Sequence, residues 1–319
     1  MIRFGILGAG NIAHRFAASL TKVEGAELVA ASRRTAGKAA AFLAEVPCTP
    51  GARAYGDHEA LLADPEVDAI YLALPHDLHH AWALRALDAG KAVLCEKPAM
   101  LSEAEAAEVT AAARERGLLF MEAMKTRFVP LHPHVVDAVG ALGPVARVHA
   151  SLCNDALASY RTRDTYILGG GPGSGVLLDC GIYCASWLDE LLPGEIAVEH
   201  VDTAFYEGSD VYVDAHMTIG GVAAELECAC DRARPRQLVV EGERGILTVD
   251  DLHRPQHAEL HIAGEPTRDL DAPYEVDDFY GQITHFCALM RVGDIESPLM
   301  PHAATCRCAR ILDAIRTTW

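Results

Sequence analysis

No apolar run in this chain approaches the ~18 residues that a membrane-spanning helix requires, so no membrane role is expected. There is no low-complexity tract, and with 50% of residues hydrophobic the chain reads as folded and globular. Positive charge is scarce. Lys and Arg number 27 against 45 Asp and Glu, a net charge of −18, which repels phosphate backbones and anionic lipid and argues against a nucleic-acid partner. The 10 cysteines show no paired Cys-x-x-Cys spacing. Cys228/Cys230, Cys306/Cys308 and Cys180/Cys184 therefore read as reduced small hydrophobes rather than a disulfide framework or a zinc site. No basic, apolar leader precedes the first strand, since Met1-Ile2-Arg3-Phe4 runs straight into it, and a cytoplasmic location is expected.

What is present has two grammars, as the length of 319 residues allows for two domains. Up to residue 123, short apolar strands alternate with helices. Strands are expected at Ile2–Leu7, Glu27–Ala31, Ala52–Tyr55, Asp68–Leu74, Ala92–Cys95 and Leu118–Met121. Helices are expected over Asn11–Val23, Ala36–Val46, His58–Ala63, His76–Ala89 and from the Ser102/Glu105 capping box to Gly117. This is the pattern of a doubly wound parallel sheet covered on both faces. From residue 124 to 319, Val211–Ile219 and Val222–Cys230 alternate apolar and polar residues around a Gly220-Gly221 hairpin. Further strands at Gln237–Glu241, Ile246–Asp250 and Ala258–Ile262, with helices over 175–192, 278–292 and 302–317, predict an α+β domain with an open antiparallel sheet. His132 and His134, flanking Pro133, read as a loop.

Gly8-Ala9-Gly10-Asn11-Ile12-Ala13 follows the first strand and opens the first helix. It fits the dinucleotide fingerprint: Gly8 for a tight turn, Gly10 for close approach of the pyrophosphate, Ala13 for helix-to-strand packing. An acid closing the second strand would bond a ribose 2′-hydroxyl, but Ser32-Arg33-Arg34 stands there instead. Ser32 can donate to a 2′-phosphate and Arg33 or Arg34 can pair with it, so NADP(H) is expected over NAD(H). The fourth strand ends in Leu74-Pro75-His76, and the fifth in Glu96-Lys97-Pro98. Ligands of such sheets lie beyond the carboxyl ends of the strands. Leu74, Pro75, His76, His79, Glu96 and Lys97 are therefore expected at the cofactor's rim. The His76/His79/His80 group reads as the polar face of a helix, with no metal site expected.

Gly8–Ala13, "ALPHDLHH", "GKAVLCEKPAM" and "LLDCGIYC" occur in the order typical of the glucose–fructose oxidoreductase and inositol dehydrogenase family (Gfo/Idh/MocA), which the chain resembles over nearly its whole length. "VLCEKP", "FMEAMKTRFVP" and "LLDCGIYC" look most like its dimeric dihydrodiol dehydrogenase and D-xylose dehydrogenase branch. The resemblance implies a Rossmann domain over 1–123 and a substrate-binding and oligomerisation domain over 124–319. It also implies hydride transfer with NADP on a polyhydroxy or diol substrate, a homo-oligomer (dimer or tetramer) built on the sheet's free face, and a cis bond before Pro98. By position, Lys97 matches the family lysine near nicotinamide and substrate, and Asp179 and Tyr183 match the second-domain pair. Inositol dehydrogenases carry His where this chain has Tyr183, which favours the dihydrodiol or aldose branch. Lys125 stands where close relatives carry Trp, and "YRTRDTYILGGGPGSG" is longer and richer in glycine than its counterpart, with Arg161 and Arg163 as candidate site-loop residues.

Alcohol oxidation removes a proton as hydride leaves. A free tyrosine, with pKa near ~10, is a poor base at neutral pH, and an ammonium nearby favours phenolate. The expected roles are Tyr183 as proton donor or acceptor, Lys97 as its electrostatic partner or itself the proton carrier, and Asp179 as orienter or substrate ligand. Two other functions stay open: a non-catalytic NADP-binding regulator, and a glycoside-processing enzyme that uses bound cofactor transiently.

Overall fold

Six parallel strands run β1 (Ile2–Leu7), β2 (Ala26–Ser32), β3 (Arg53–Tyr55), β4 (Ala69–Leu72), β5 (Ala92–Cys95) and β6 (Phe120–Glu122) in the computed structural model, which describes residues 1–35, 37–162 and 165–319. They lie in the order β3-β2-β1-β4-β5-β6, so the winding reverses between β1 and β4, where a crevice opens at the carboxyl ends of the strands. Between them run α1 (Asn11–Leu20), α2 (Lys38–Glu45), α3 (His58–Leu62), α4 (His79–Asp88) and α5 (Glu103–Arg116). His76–Leu78 forms a 3₁₀ turn ahead of α4. The expected start of the second helix, Ala36, lies outside the described residues, as does Arg163.

β1 is buried over most of its length because aromatic residues close on it. Phe4 meets Phe16 of α1 edge-on at 5.5 Å, and Phe16 stacks on Tyr71 of β4 at 3.8 Å. Phe4 also meets Phe286 at 5.8 Å. Phe286 belongs to a helix near the end of the chain, so this unit comprises residues 1–100, 104–124 and 275–305. Alternation of strand and helix cannot reveal such a return. The continuous second domain expected over 124–319 thus differs from this division, in which 275–305 returns to the first unit.

The second unit comprises residues 101–103, 125–274 and 306–319. Its strands are β7 (Val145–Cys153), β8 (Ile196–Tyr206), β9 (Ser209–Ile219), β10 (Val222–Ala229), β11 (Gln237–Gly242), β12 (Gly245–Asp250), β13 (His257–Ile262) and β14 (Arg268–Asp271), in the order β14-β13-β12-β11-β7-β10-β9-β8. Its helices are α6 (Leu131–Ala141), α7 (Leu157–Tyr160) and α8 (Ile182–Leu191). α9 (Tyr280–Val292) and α10 (His302–Arg316) complete the chain. The sheet is mixed, not antiparallel as expected: β7 inserts between β11 and β10 and runs parallel to β10. Strands β7, β8 and β14 escaped the sequence reading. Small and polar residues blur the period of β7, and register breaks at Val198/His200 and Ala204/Phe205 interrupt that of β8.

Two local expectations are corrected. His132-Pro133-His134 is the first turn of α6 rather than a loop, a place where proline costs nothing because its missing N–H has no helical acceptor. The helix expected from 175 begins as a π-helical turn over Leu177–Gly181 and becomes α-helical at Ile182. No helix among the described residues is long and apolar enough to cross a membrane.

His132 is 6% exposed and its ring stacks on Trp187 at 5.0 Å. Burial, and then the Arg127 charge, push its pKa down from 6.5 to about 4. The folded ring stays neutral where the unfolded one charges, so this contribution to stability is complete above pH 6.5 and is lost as pH falls towards 4, by up to about 3 kcal/mol. His132→Gln should flatten the acid side of the stability curve by that amount, read from urea midpoints at pH 7 and about pH 4.5. An acid slope equal to that of the unsubstituted protein would contradict this.

Candidate active site

Gly8 ends β1 with φ +91°, and a Cβ there would lie 2.4 Å from the Ala73 carbonyl oxygen, so no other residue fits the turn. Gly10 differs. Its φ is −101°, and the nearest atom to a Cβ there is the Gly8 oxygen at 4.0 Å. Packing does not demand glycine at this position, whereas a ligand lying on the backbone would. Gly10 caps α1 without a side-chain hydrogen bond, and the first turn has no acid. Its exposed amides and positive helix end suit a pyrophosphate. Ala9 is buried, Ile12 half-buried and Asn11 exposed. These residues fit a dinucleotide.

At the end of β2, Ser32 is fully buried. Its Oγ lies 2.7 Å from His58 Nδ1 and donates weakly to the Ile6 carbonyl at 3.4 Å. In this structure the Ser32 hydroxyl, expected to donate to a 2′-phosphate, is directed to the strand end beneath the turn. Arg33 is half-buried and Arg34 exposed. Burial first, and then the Arg34 charge, hold His58 below its ordinary pKa, which keeps the ring beneath Ser32 neutral.

Beyond β4 and β5 a set of buried polar groups fixes the rim. His79 is fully buried, with Nε2 2.8 Å from the Leu74 carbonyl and Nδ1 2.9 Å from that of Pro98. Burial, opposed by these carbonyls, lowers its pKa, so the neutral ring donates to one carbonyl at a time. His79 thus lies between the two turns of this rim, bonding the carbonyl of one or the other. His76 is also buried, its ring 5.8 Å from that of His79. His80, on the outer side, meets Glu108 at 3.0 Å. Tyr71 donates its hydroxyl to Glu96, and Glu122 accepts the Ala99 N–H at 2.9 Å. The Lys97–Pro98 bond is cis. Burial, then the carboxylates of Glu122 and Glu96, raise the Cys95 thiol well above its usual pKa, leaving it inert. Gly8, Leu74, Pro75, His76, Glu96 and Lys97 thus stand at the ends of three strands adjacent in the sheet.

In the second unit the π turn holds Asp179, half-buried, and the first turn of α8 holds Tyr183, which is 7% exposed. Lys125 and His253 lie against the Tyr183 ring. Lys125 Nζ lies 5.7 Å from its centroid, and the His253 ring lies 5.6 Å away. His253 had no signal in the sequence: it sits 70 residues beyond Tyr183, in the turn after β12. That turn is pinned to α8 by the Trp187 indole, which donates to the Leu252 carbonyl at 2.9 Å. His253 also pairs with Asp251 at 2.8 Å. Burial outweighs that carboxylate, with help from the Lys125 charge, and lowers the His253 pKa. A neutral imidazole and an ammonium therefore flank the tyrosine. Arg161 lies over the Tyr206 ring at 5.2 Å.

A doubly wound sheet with a dinucleotide fingerprint after its first strand points to a nicotinamide oxidoreductase, and comparison with known proteins agrees. Residues 2–124 match the oxidoreductase family, NAD-binding Rossmann fold, and residues 136–248 match the GFO/IDH/MocA C-terminal domain. Trans-1,2-dihydrobenzene-1,2-diol dehydrogenase of Bos taurus is 31% identical over 99% of this chain and 96% of its own. The NADP(+) scyllo-inositol 2-dehydrogenase of Bacillus subtilis is 28% identical with the same coverages. A 3-ketoreductase from Actinomadura kijaniata, solved with NADP and TDP-benzene, superposes with a TM-score of 0.87 at 26% identity, covering 99% of this chain and 97% of that one. The chain belongs to the Gfo/Idh/MocA family of oxidoreductases.

Gly10→Ala tests the phosphate cradle. The variant should melt as the unsubstituted protein does, because no protein atom opposes the methyl group, yet bind dinucleotide at least about tenfold more weakly, a loss of about 1.4 kcal/mol. Calorimetric titration with NADP⁺ reads this, and unchanged affinity would place the pyrophosphate elsewhere.

Proposed function

We propose that the protein is an NADP(H)-dependent dehydrogenase or reductase acting on a hydroxyl or carbonyl of a sugar, polyol or trans-dihydrodiol. The observation that carries this reading is the rim of the parallel sheet. There Glu96-Lys97-Pro98 ends β5 beside the reversal of strand order, with His79 against its backbone and a glycine cradle at the end of the neighbouring β1. The dihydrodiol and inositol dehydrogenase relatives support the substrate class, and the inositol dehydrogenase and 3-ketoreductase relatives support NADP. A homo-oligomer, dimer or tetramer, accompanies this reading.

The bound cofactor supplies or accepts the hydride. The rest of the chemistry falls to side chains of this chain. Tyr183 takes the substrate's hydroxyl proton in oxidation and returns it in reduction, and Lys97 supplies a positive charge that favours the phenolate or carries the proton itself. Asp179 orients the substrate. Lys125 and His253 set the surroundings of the Tyr183 ring, one holding a charge over it and the other a neutral polar edge.

Lys97→Met and Tyr183→Phe should each lower kcat by about two to four orders of magnitude, the range for general acid–base groups, while NADP⁺ still binds. Lys97→Arg separates the two roles of the lysine: a charge partner survives this change largely intact, a proton carrier does not. Near-normal turnover in both Met and Phe variants would overturn the assignment.

The choice of cofactor rests on Arg33 and Arg34 in place of an acid after β2. Replacing both by Ala removes charge-assisted bonds to a 2′-phosphate, each worth about 1.5–3 kcal/mol. KM for NADP⁺ should rise at least about tenfold while that for NAD⁺ stays nearly unchanged. A preference for NAD⁺ in the unsubstituted protein would refute this choice.

A further inference from the structure

The eight-stranded sheet packs one face on its own core. Along β9, Val211, Val213, Ala215 and Met217 are buried, as are Ala224 and Leu226 of β10 and Val148 and Ala150 of β7. The residues between them occupy the opposite face. Register brings an unusual set together there: Glu225 of β10 stands opposite His149 of β7 on one side and His216 of β9 on the other. Asp214, two residues along β9 from His216, shares the face.

The atoms are close and directed at one another. His216 Nε2 is 3.5 Å from Asp214 Oδ1, and His149 Nε2 is 3.7 Å from Glu225 Oε1. Asp214, His216 and Glu225 can each offer one donor atom with all three within 4.8 Å of one another. Ligands of a tetrahedral zinc ion, with bonds of about 2.0–2.1 Å, stand about 3.3 Å apart, so small rotations would close the set. Two of the atoms are buried and make no hydrogen bond: Asp214 Oδ1 and His149 Nε2. Each carboxylate is held from outside by its other oxygen, Asp214 by the Tyr212 hydroxyl at 3.4 Å and Glu225 by Arg147 at 2.5 Å. One oxygen of each is thereby left for the interior of the group. A bound cation would give the two orphaned atoms a partner.

We propose that Asp214, His216 and Glu225, with His149 beside them, bind a divalent transition-metal ion of the zinc type, clamping β9 and β10 and reaching β7. Mixed imidazole and carboxylate donors favour zinc, nickel or copper over magnesium or calcium, which take oxygen ligands. The site lies on the sheet of the second unit and uses none of the residues assigned to hydride transfer, and it shares the free face on which the homo-oligomer is expected to be built. No spacing in the sequence announces it, because the ligands come from three strands and meet only through register.

The test is zinc titration of the chelator-treated full-length protein by calorimetry, with thermal melting in parallel. One zinc ion per chain should bind with Kd on the order of 1 μM or tighter, and Tm should rise with zinc and return with EDTA, since a ligand of the native state stabilises it by mass action. His216→Ala and Glu225→Gln should each weaken binding at least tenfold, with NADP⁺ affinity preserved as proof of folding. His261→Ala, on the distant β13, should leave zinc binding as it was. Absence of zinc binding, or binding of equal strength in the His216 and Glu225 variants, would overturn the proposal.

Discussion

A single buried imidazole holds the working edge of the parallel sheet. His79 sits with one ring nitrogen 2.8 Å from the Leu74 carbonyl and the other 2.9 Å from that of Pro98, filling the space between the turns leaving β4 and β5 and donating to one of them at a time. The turn proposed to carry a lysine for proton chemistry needs a still backbone, because catalysis by positioned groups falls off steeply with misplacement. The supports around His79 act in the same sense: Tyr71 holds Glu96 from below, and Glu122 on β6 holds the Ala99 N–H. All are buried, where a satisfied polar group is rigidifying and an unsatisfied one expensive.

The second unit shows a similar economy around Tyr183. The tyrosine begins α8 directly after a π-helical turn, an irregularity that tends to occur at functional sites. Trp187, one turn further on, fixes the loop that brings His253 to the ring. Arg127 secures the other end of this helix, donating to the Ser186 carbonyl at 2.9 Å and to Asp189 at 2.6 Å. Tyr183 is therefore presented from a helix anchored on both sides, with the only lysine in its unit's "MKTRF" segment lying over its ring.

Much of this could be read from the residues. The strands of the parallel sheet are short and apolar, each is punctuated by Gly, Asn or Pro, and Gly8–Ala13 sits where a phosphate cradle must, so local chemistry and global fold agree. The position of Glu96-Lys97-Pro98 just beyond β5 and the cis bond before Pro98 were legible as well. The contact of the Ser32 hydroxyl with His58, a partner 26 residues away, is one that sequence position does not announce. His253 and the Asp214/His216/Glu225 group depend on register and loop packing, which carry no periodic signature. β8 was hidden by its own bulges, and the return of α9 to the first unit rests on a long-range contact between Phe286 and Phe4.

The assignment to hydride chemistry is tested most directly by absorbance at 340 nm. Purified protein is mixed with NADP⁺ or NAD⁺ and a panel of trans-dihydrodiols, aldoses and inositols, and with NADPH and the corresponding carbonyl compounds. The account predicts net formation or consumption of NADPH with at least one member of the panel, and slower or no change with the NAD forms. Tight binding of NADP(H) with no absorbance change in either direction on any member would contradict it.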